Sequence, residues 1–208
     1  MYSVQNIIKD SLSGFSRQIL VPADFKGSGT EAAIKMSLSR LAKAGTIRRL
    51  AHGIYYVPVS DPVLGELIPS PESVAEELAE KERVRIRPAG AFALNKLGLS
   101  TQVPTRLVYL TDGNPRKLKV GKASIEFKST TPKKMSLRGK ISSLLILALE
   151  ELDLQHLDKK QQERIYHLVE IEDPEDLTHD LKLAPNRIHD YLITFKRRID
   201  EQRMANPE

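Results

Sequence analysis

The sequence predicts an α+β fold in two parts, with a proline-rich segment between them. Three observations support this prediction. Residues 30–57 change from a helical to a strand-like pattern, residues 58–71 contain four prolines, and residues 84–128 form short apolar runs separated by turn residues. From residue 138 onward the pattern of apolar residues is helical.

The composition excludes several classes of protein. The chain has 208 residues and no cysteine, which excludes disulfides and thiolate metal sites. No apolar run approaches the roughly 20 residues that a membrane-spanning helix needs. Met1-Tyr2-Ser3 leads directly into a helical pattern, so we expect no signal peptide. These features predict a cytoplasmic protein without a membrane partner.

The net charge changes sign along the chain. Residues 1–58 contain eight Lys or Arg and three Asp or Glu, residues 59–150 contain fifteen and ten, and residues 151–208 contain nine and fourteen. The first two stretches therefore each carry +5 and the last carries −5. A basic front and an acidic back favour a polyanionic partner at the N-terminal end and a different partner at the other end.

The first part is expected to begin with two short helices. A helix over residues 3–12 ends at Gly14, and its apolar stripe consists of Val4, Ile7, Ile8 and Leu12. Pro22 suits the first turn of a short second helix, which Lys26-Gly27 closes. In a helix-turn-helix, such a second helix braces the helix that follows it.

Residues 30–45 (TEAAIKMSLSRLAKAG) predict an amphipathic helix. Thr30 or Ser28 can cap its start, and Gly45 can end it. At about 100° per residue, the apolar face consists of Ile34, Leu38 and Leu41. The opposite face is short and basic, and consists of Ala32, Met36, Ser39, Arg40 and Lys43.

Two short β-rich runs follow this helix around Ala51-His52-Gly53. Gly53 suits a turn position with positive φ, so the pattern predicts a β-hairpin. A basic helix followed at once by a basic hairpin is typical of a winged helix-turn-helix, which we place at residues 1–58. In such a domain the helix enters the major groove of DNA. The residues expected to contact DNA are Thr30, Lys35, Met36, Ser39, Arg40, Lys43, Arg48, Arg49 and His52.

Residue chemistry assigns roles within the predicted recognition helix. Arg40 is expected to form a bidentate contact with guanine, and Ser39 to contact a base edge or a phosphate. Lys35 and Lys43 are expected to lie on phosphates.

Strand alternation constrains the predicted hairpin, because neighbouring strand residues point to opposite faces. At most one of Arg48 and Arg49 is therefore expected to contact DNA. The same alternation applies to Tyr55 and Tyr56, of which one is expected in the core. The sequence leaves open which one.

Residues 59–72 are predicted to be a proline-rich, extended connector. Residues 73–152 predict an α+β domain with a small, mainly antiparallel sheet. A hairpin that turns at Gly121-Lys122 places Lys117 opposite Glu126. A helix over residues 141–152 is apolar nearly all round and is expected to be buried.

The rest of the chain predicts an acidic helical C-terminal extension over residues 153–208. It contains amphipathic helices at residues 159–169 and 186–199, separated by an acidic stretch. The polar residues Thr101 and Gln102 and the sequence Thr111-Asp112-Gly113 suggest either a polar site or, more simply, a turn. A basic loop at Lys133-Lys134 and Arg138 extends the basic surface or is only solvated.

Several segments match the pattern of a known family. They are PADF (22–25), LSRLAKAGTIRRL (38–50), GIYY (53–56), LGEL (64–67), PSP (69–71), LGLSTQVP (97–104) and LVYLTDG (107–113). On these segments, residues 22–152 resemble the AbiEi-type transcriptional regulator and antitoxin family. The resemblance implies a repressor of its own operon that counteracts a nucleotidyltransferase-like toxin. Residues 153–208 are outside the resemblance.

We therefore expect a DNA-binding transcriptional regulator that is not an enzyme and has no cofactor, bound to its operator as a homodimer. Two alternatives remain. In the first, the winged helix binds a protein instead of DNA. In the second, His179-Asp180 and His189-Asp190 belong to a metal-dependent phosphohydrolase. The chain has no nucleophile elbow and no phosphate-binding glycine loop, and aromatic residues (5%) are too scarce to favour RNA.

Overall fold

The computed structural model is α+β, as predicted, with small antiparallel sheets and a long C-terminal helix. It describes residues 3–15 and 19–205. The chain divides into two compact units, which are Met1–Arg83 with Leu118–Ile125, and Val84–Lys117 with Glu126–Glu208. Within the described part of the chain, no helix is both long and apolar enough to cross a membrane.

The described residues of the first unit up to residue 83 contain three α-helices and five strands. They are α1 (Val4–Ser11), β1 (Ile19–Leu20), α2 (Glu31–Lys43), β2 (Arg48–Ala51), β3 (Ile54–Tyr56), β4 (Val59–Asp61), β5 (Gly65–Leu67) and α3 (Pro71–Glu82). The predicted second helix is a 3₁₀ helix over Pro22–Phe25. Three strands form an antiparallel sheet in the order β1-β3-β2. Strands β4 and β5 form a separate, two-stranded antiparallel sheet.

The helix α2 forms as its sequence predicts. The Thr30 hydroxyl accepts a hydrogen bond from the Ala33 amide at 3.3 Å and caps the helix start. Gly45 follows the last turn at a φ of +79°, a conformation that glycine adopts without strain. The apolar face is buried in a core formed by Ile8, Leu12, Leu20, Phe25, Ile34, Leu38, Leu41, Ile47 and Tyr55. Full burial of each large apolar side chain contributes roughly 1.5–3 kcal/mol.

The α1 helix follows its predicted stripe with one exception. Ile8 and Leu12 are buried and Val4 packs against the same core. Ile7 is exposed because it lies on the flank of that stripe.

The segment predicted as an extended connector is instead a β-hairpin. Val59 pairs with Leu67 across it, and the Asp61 carboxylate accepts hydrogen bonds from the turn amides at 2.8 and 2.9 Å. Its prolines lie before β4, in the turn and after β5, where they remove no ladder hydrogen bond. The turn leaves Val63 90% and Leu64 75% exposed.

Helix α3 belongs to the first unit, although the sequence analysis assigned residues from 73 onward to the second domain. The Glu77 carboxylate accepts a hydrogen bond from the Ile19 amide at 2.7 Å, and Lys81 forms an ion pair with Asp24 at 2.8 Å. The boundary between the units therefore lies after Arg83. The sequence of a helix shows which face is buried but not which element covers it.

The remaining elements lie in residues 84–205, which form the second unit except for the end of β8 and the start of β9, assigned to the first unit. They are β6 (Ile86–Ala89), α4 (Gly90–Lys96), β7 (Arg106–Thr111), β8 (Arg116–Val120), β9 (Ala123–Ser129), α5 (Pro132–Met135), α6 (Ser142–Leu149), α7 (Lys159–Ile171), α8 (Pro174–Leu183) and α9 (Asn186–Ala205). The sheet order is β6-β7-β9-β8. The expected ion pair between Lys117 and Glu126 is present at 3.2 Å, in agreement with the predicted hairpin register.

Residues 153–205 are not a separate extension, because α7, α8 and α9 share one core with α4 and α6. The α6 helix is buried on nearly all sides, as expected from its sequence. The buried faces of α7, α8 and α9 include Leu168, Leu181 and Leu192, respectively. The acidic stretch, residues 170–176, is not a separator but joins the end of α7 to the first turn of α8, which begins at Pro174 after the Asp173 cap.

Candidate nucleic-acid interface

The exposed side of α2 carries a stripe of mixed chemistry, here called the outward stripe. It consists of Ala32, Met36, Ser39, Arg40 and Lys43. All are exposed except Ser39, which is half-buried. Met36 lies roughly 160° around the helix from Ile34 and from Leu38, so the stripe is opposite the core-facing side.

Two cations of the outward stripe lack acidic partners. Neither Arg40 nor Lys43 forms an ion pair with any residue that the structure describes. Lys35, by contrast, lies about 100° from Met36 on the flank of the helix. It forms an ion pair with Glu31, and its hydrogen bond lowers the pKa of that carboxyl. The structure thus separates Lys35 from the other predicted helix contacts.

Thr30 has a structural task at the start of α2. Its hydroxyl oxygen accepts the Ala33 amide and is occupied by the cap. The hydroxyl proton remains able to donate to an outside acceptor, because Thr30 is exposed.

The β2–β3 hairpin brings Arg49 and His52 together at its tip. The Arg49 Nη2 atom lies 3.0 Å from His52 Nδ1, and Arg49 Nε donates to the Ala51 carbonyl at 3.3 Å. A guanidinium can only donate, so in this hydrogen bond His52 Nδ1 is the acceptor. Both side chains are exposed.

Arg48 lies in a different environment from Arg49. It pairs across the sheet with Tyr56, and its Nε lies 3.4 Å from Glu66 of β5. The Tyr56 hydroxyl donates to the same carboxylate at 2.6 Å. Of the two hairpin arginines, Arg48 is therefore the one held by an acid.

Both neighbouring tyrosines are buried, for different reasons. Tyr55 belongs to the core with α2, which answers the question that the sequence left open. Tyr56 is also buried, since β3 is the central strand and Glu66 covers its other side. Burial and the hydrogen bond to Glu66 raise the pKa of Tyr56 to about 12.

The first unit also divides by charge. Residues 50–80 contain no Lys or Arg and carry six carboxylates, which are Asp61, Glu66, Glu72, Glu76, Glu77 and Glu80. The sequence contained this signal, but counting charge over residues 59–150 concealed it. Arg40 and Lys43 of α2 and Arg49 of β2 are thus among the cations of the unit that form no ion pair with a described residue, whereas β4, β5 and α3 are acidic.

The histidines and aspartates of the second unit have structural contacts. Asp180 is fully buried and accepts hydrogen bonds from the Arg138 and Gly139 amides and from the Ser142 hydroxyl. His179 Nδ1 lies 2.9 Å from the same carboxylate. Among the described residues, no three His, Asp or Glu side chains are placed to hold a metal ion.

The other polar candidates of the second unit do not form a common site. The Thr111 hydroxyl accepts a hydrogen bond from the Gly113 amide, so Thr111-Asp112-Gly113 is a turn. An ion pair between Asp112 and Arg85, at 2.8 Å, stabilises this turn. Gln102 lies elsewhere, in an open cavity of about 570 Å³. In the basic loop, Lys134 pairs with Glu150 and Arg138 with Asp176, at 2.6 and 2.8 Å.

Comparison with known proteins identifies the family. The chain belongs to DUF6088, a family of unknown function, whose model matches residues 4–177. The match includes α2, the β2–β3 hairpin and most of the second unit. No curated protein matches the chain.

Proposed function

We propose that this member of the DUF6088 family is a sequence-specific, double-stranded DNA-binding transcriptional regulator. In this proposal the first unit is a winged helix, with α2 as the recognition helix and the β2–β3 hairpin as the wing. The observation that supports it most strongly is the outward stripe of α2, where Arg40 and Lys43 are exposed and form no ion pair with a described residue. Cations left unpaired on a helix facing away from the core suit a polyanionic ligand.

The recognition helix would lie in the major groove with its outward stripe on the bases. Arg40 can donate two hydrogen bonds to guanine O6 and N7, the commonest specific contact of an arginine. Lys43 in the last turn of α2 would donate to a phosphate at one end of the helix. The Thr30 hydroxyl at the start of α2 would donate to a phosphate at the other end. Ser39 is half-buried beside Arg40 and would reach a base edge or a phosphate.

In the wing, Arg49 and His52 would contact the DNA backbone as a pair. Their side chains contact each other at the hairpin tip, which lowers part of the cost of ordering them on binding. Arg48 forms an ion pair with Glu66, so we do not propose it as a DNA contact, although the sequence suggested it. The carboxylates of residues 50–80 would repel phosphates, so we assign β4, β5 and α3 to the surface away from DNA.

The biological role proposed here rests on the resemblance of residues 22–152 to AbiEi-type regulators. We propose that the protein is cytoplasmic, binds its own operator as two copies on paired half-sites, and counteracts a nucleotidyltransferase-like toxin from the same operon. The DUF6088 match carries no statement about a toxin. The DNA-binding part of the proposal therefore has the stronger physical support.

The experiment is a gel-shift titration with the DNA upstream of the gene, an unrelated duplex as competitor, and two salt concentrations. We expect preference for the upstream DNA and a steep loss of affinity at higher salt, because phosphate contacts release counterions. Arg40→Ala should weaken the specific complex by about 1–3 kcal/mol and spare binding to unrelated DNA.

Arg197→Ala is the matched control. Arg197 is exposed on α9 and has no ion pair with a described residue. Equal losses for the Arg40 and Arg197 variants would contradict the assignment of Arg40. Salt-independent binding, or no preference for the upstream DNA, would contradict the proposed function and favour a protein partner.

A further inference from the structure

Met36 is an apolar side chain in the middle of the outward stripe. It is 54% exposed, whereas the three large apolar residues of the opposite face of α2 are buried. Isolated exposed apolar side chains are common on protein surfaces, so exposure alone does not indicate a role. The position of Met36 is more informative, because Ala32 lies one turn before it and Arg40 one turn after it on the same stripe.

The outward stripe therefore changes chemistry along its length. Its N-terminal half offers only hydrocarbon and a thioether, from Ala32 and Met36. Its C-terminal half offers a hydroxyl, a guanidinium and an ammonium, from Ser39, Arg40 and Lys43. A uniformly basic stripe would suit phosphates alone, but an apolar half suits a ligand that has apolar groups next to polar ones.

The major groove offers such a pattern, because each thymine presents a 5-methyl group and each guanine presents two acceptors. We propose that Met36, supported by Ala32, reads a thymine through its methyl group, while Arg40 reads a guanine in the same half-site. This inference rests on the proposed function and adds the base composition of the operator to it. The thioether is flexible and polarisable, so it can follow the methyl group closely.

The helix also fixes the spacing of the two bases. Met36 and Arg40 are four residues apart, which corresponds to about 6 Å along a helix that rises 1.5 Å per residue. Base pairs are stacked about 3.4 Å apart. For a helix lying along the groove, the thymine and the guanine are therefore about two base-pair steps apart.

The test begins with selection of binding sites by the full-length wild-type chain from a random duplex library. Each thymine of the selected site is then replaced in turn by deoxyuridine, which removes only the methyl group. We expect one replacement to weaken wild-type binding by about three- to ten-fold, the effect of one buried methyl-sized group. The same replacement should leave the affinity of Met36→Ala unchanged, since the methyl then has no partner.

The control variant is Met204→Ala, which removes an exposed methionine of α9 and should keep the full thymine-to-uracil discrimination of the wild type. Selection of a defined site with no replacement that distinguishes wild type from Met36→Ala would overturn this inference and leave the proposed function intact. The same holds if Met36→Ala weakens both forms of the site and keeps the discrimination. Enrichment of no sequence would overturn the proposed function, and this inference with it.

Discussion

Two groups of charged residues in this protein have opposite surroundings. On the outward stripe of α2, Arg40 and Lys43 are exposed and form no ion pair with a described residue. In the second unit, Asp180 and Glu172 are buried, and each accepts several hydrogen bonds from the chain around residues 138–142. The first group has hydrogen-bonding capacity left for a ligand, and the second has used its capacity to hold a loop.

This difference shows why charged residue types alone do not locate a site. The sequence offered His179-Asp180 as an alternative metal-binding pair from its residue types, and Arg40 as a possible base reader from its place on a predicted recognition helix. In the structure, the Asp180 carboxylate holds two amides and a hydroxyl, and His179 lies against it. Whether a charge is already paired is the property that separates the two groups, and the following predictions test it.

The largest effect is expected for Asp180→Ala. The substitution leaves the Arg138 and Gly139 amides and the Ser142 hydroxyl without an acceptor in a buried position. We expect the free energy of unfolding to fall by about 3–5 kcal/mol, measured by urea denaturation. Asp190→Ala, at an exposed position of α9, should change it by no more than about 0.5 kcal/mol. A similar small change for both variants would mean that Asp180 is not structural.

The local patterns of the sequence predicted a large part of this structure. The limits of α2, the hairpin at Gly53, the register that pairs Lys117 with Glu126 and the burial of α6 all follow from residues close in sequence. In each case the decisive interaction is a cap, a turn or a neighbouring strand. Such interactions are encoded within a few residues of the position that they determine.

The errors share a different cause, which is that a partner lies far away in the chain. Helix α3 was assigned to the wrong part because its contacts to Ile19 and Asp24 span more than 50 residues. The β4–β5 hairpin was taken for a connector because its prolines were counted without their positions in the ladder. For the candidate site, the sequence named the exposed residues of α2 and the hairpin, but it could not show that Glu66 holds Arg48.

The next effect concerns the buried hydrogen bond between Tyr56 and Glu66. Tyr56→Phe removes a hydroxyl that donates at 2.6 Å, and should lower the free energy of unfolding by about 1 kcal/mol at neutral pH. Tyr191→Phe is the control, because the Tyr191 hydroxyl is buried without a hydrogen-bond partner among the described residues. That variant should be as stable as the wild type or slightly more stable.

The same tyrosine gives a pH dependence of defined sign. Its pKa is raised in the folded state from 10.0 to about 12, so folding favours the neutral phenol. The stabilisation is complete below pH 10, the pKa of an unperturbed tyrosine, and is lost as the pH rises towards 12. The stability difference between wild type and Tyr56→Phe should therefore shrink over that interval. A constant difference from pH 9 to pH 12 would contradict the raised pKa.

A smaller effect should separate the two arginines of β2, Arg48 and Arg49. Arg49→Ala removes an unpaired cation, so the slope of log affinity against log salt should fall by about 0.9 if it contacts one phosphate. Arg48→Ala removes a cation that Glu66 already holds, and should leave the slope unchanged. Titrations of unrelated duplex DNA at several salt concentrations measure both slopes. Equal slopes for the two variants would show that pairing with Glu66 does not keep Arg48 from DNA.

The smallest expected effect also tests the comparison most directly, because it converts a paired charge into an unpaired one. Glu66→Gln keeps the size of the side chain and removes the charge that holds Arg48. We expect binding to unrelated duplex DNA to strengthen by about two- to three-fold at low salt, since one carboxylate is lost and one arginine is released. Glu76→Gln removes the same charge from an exposed position of α3 that has no described ion pair. An equal gain for both variants would assign the effect to net charge alone, whereas a gain confined to Glu66→Gln would show that Glu66 keeps Arg48 away from phosphates.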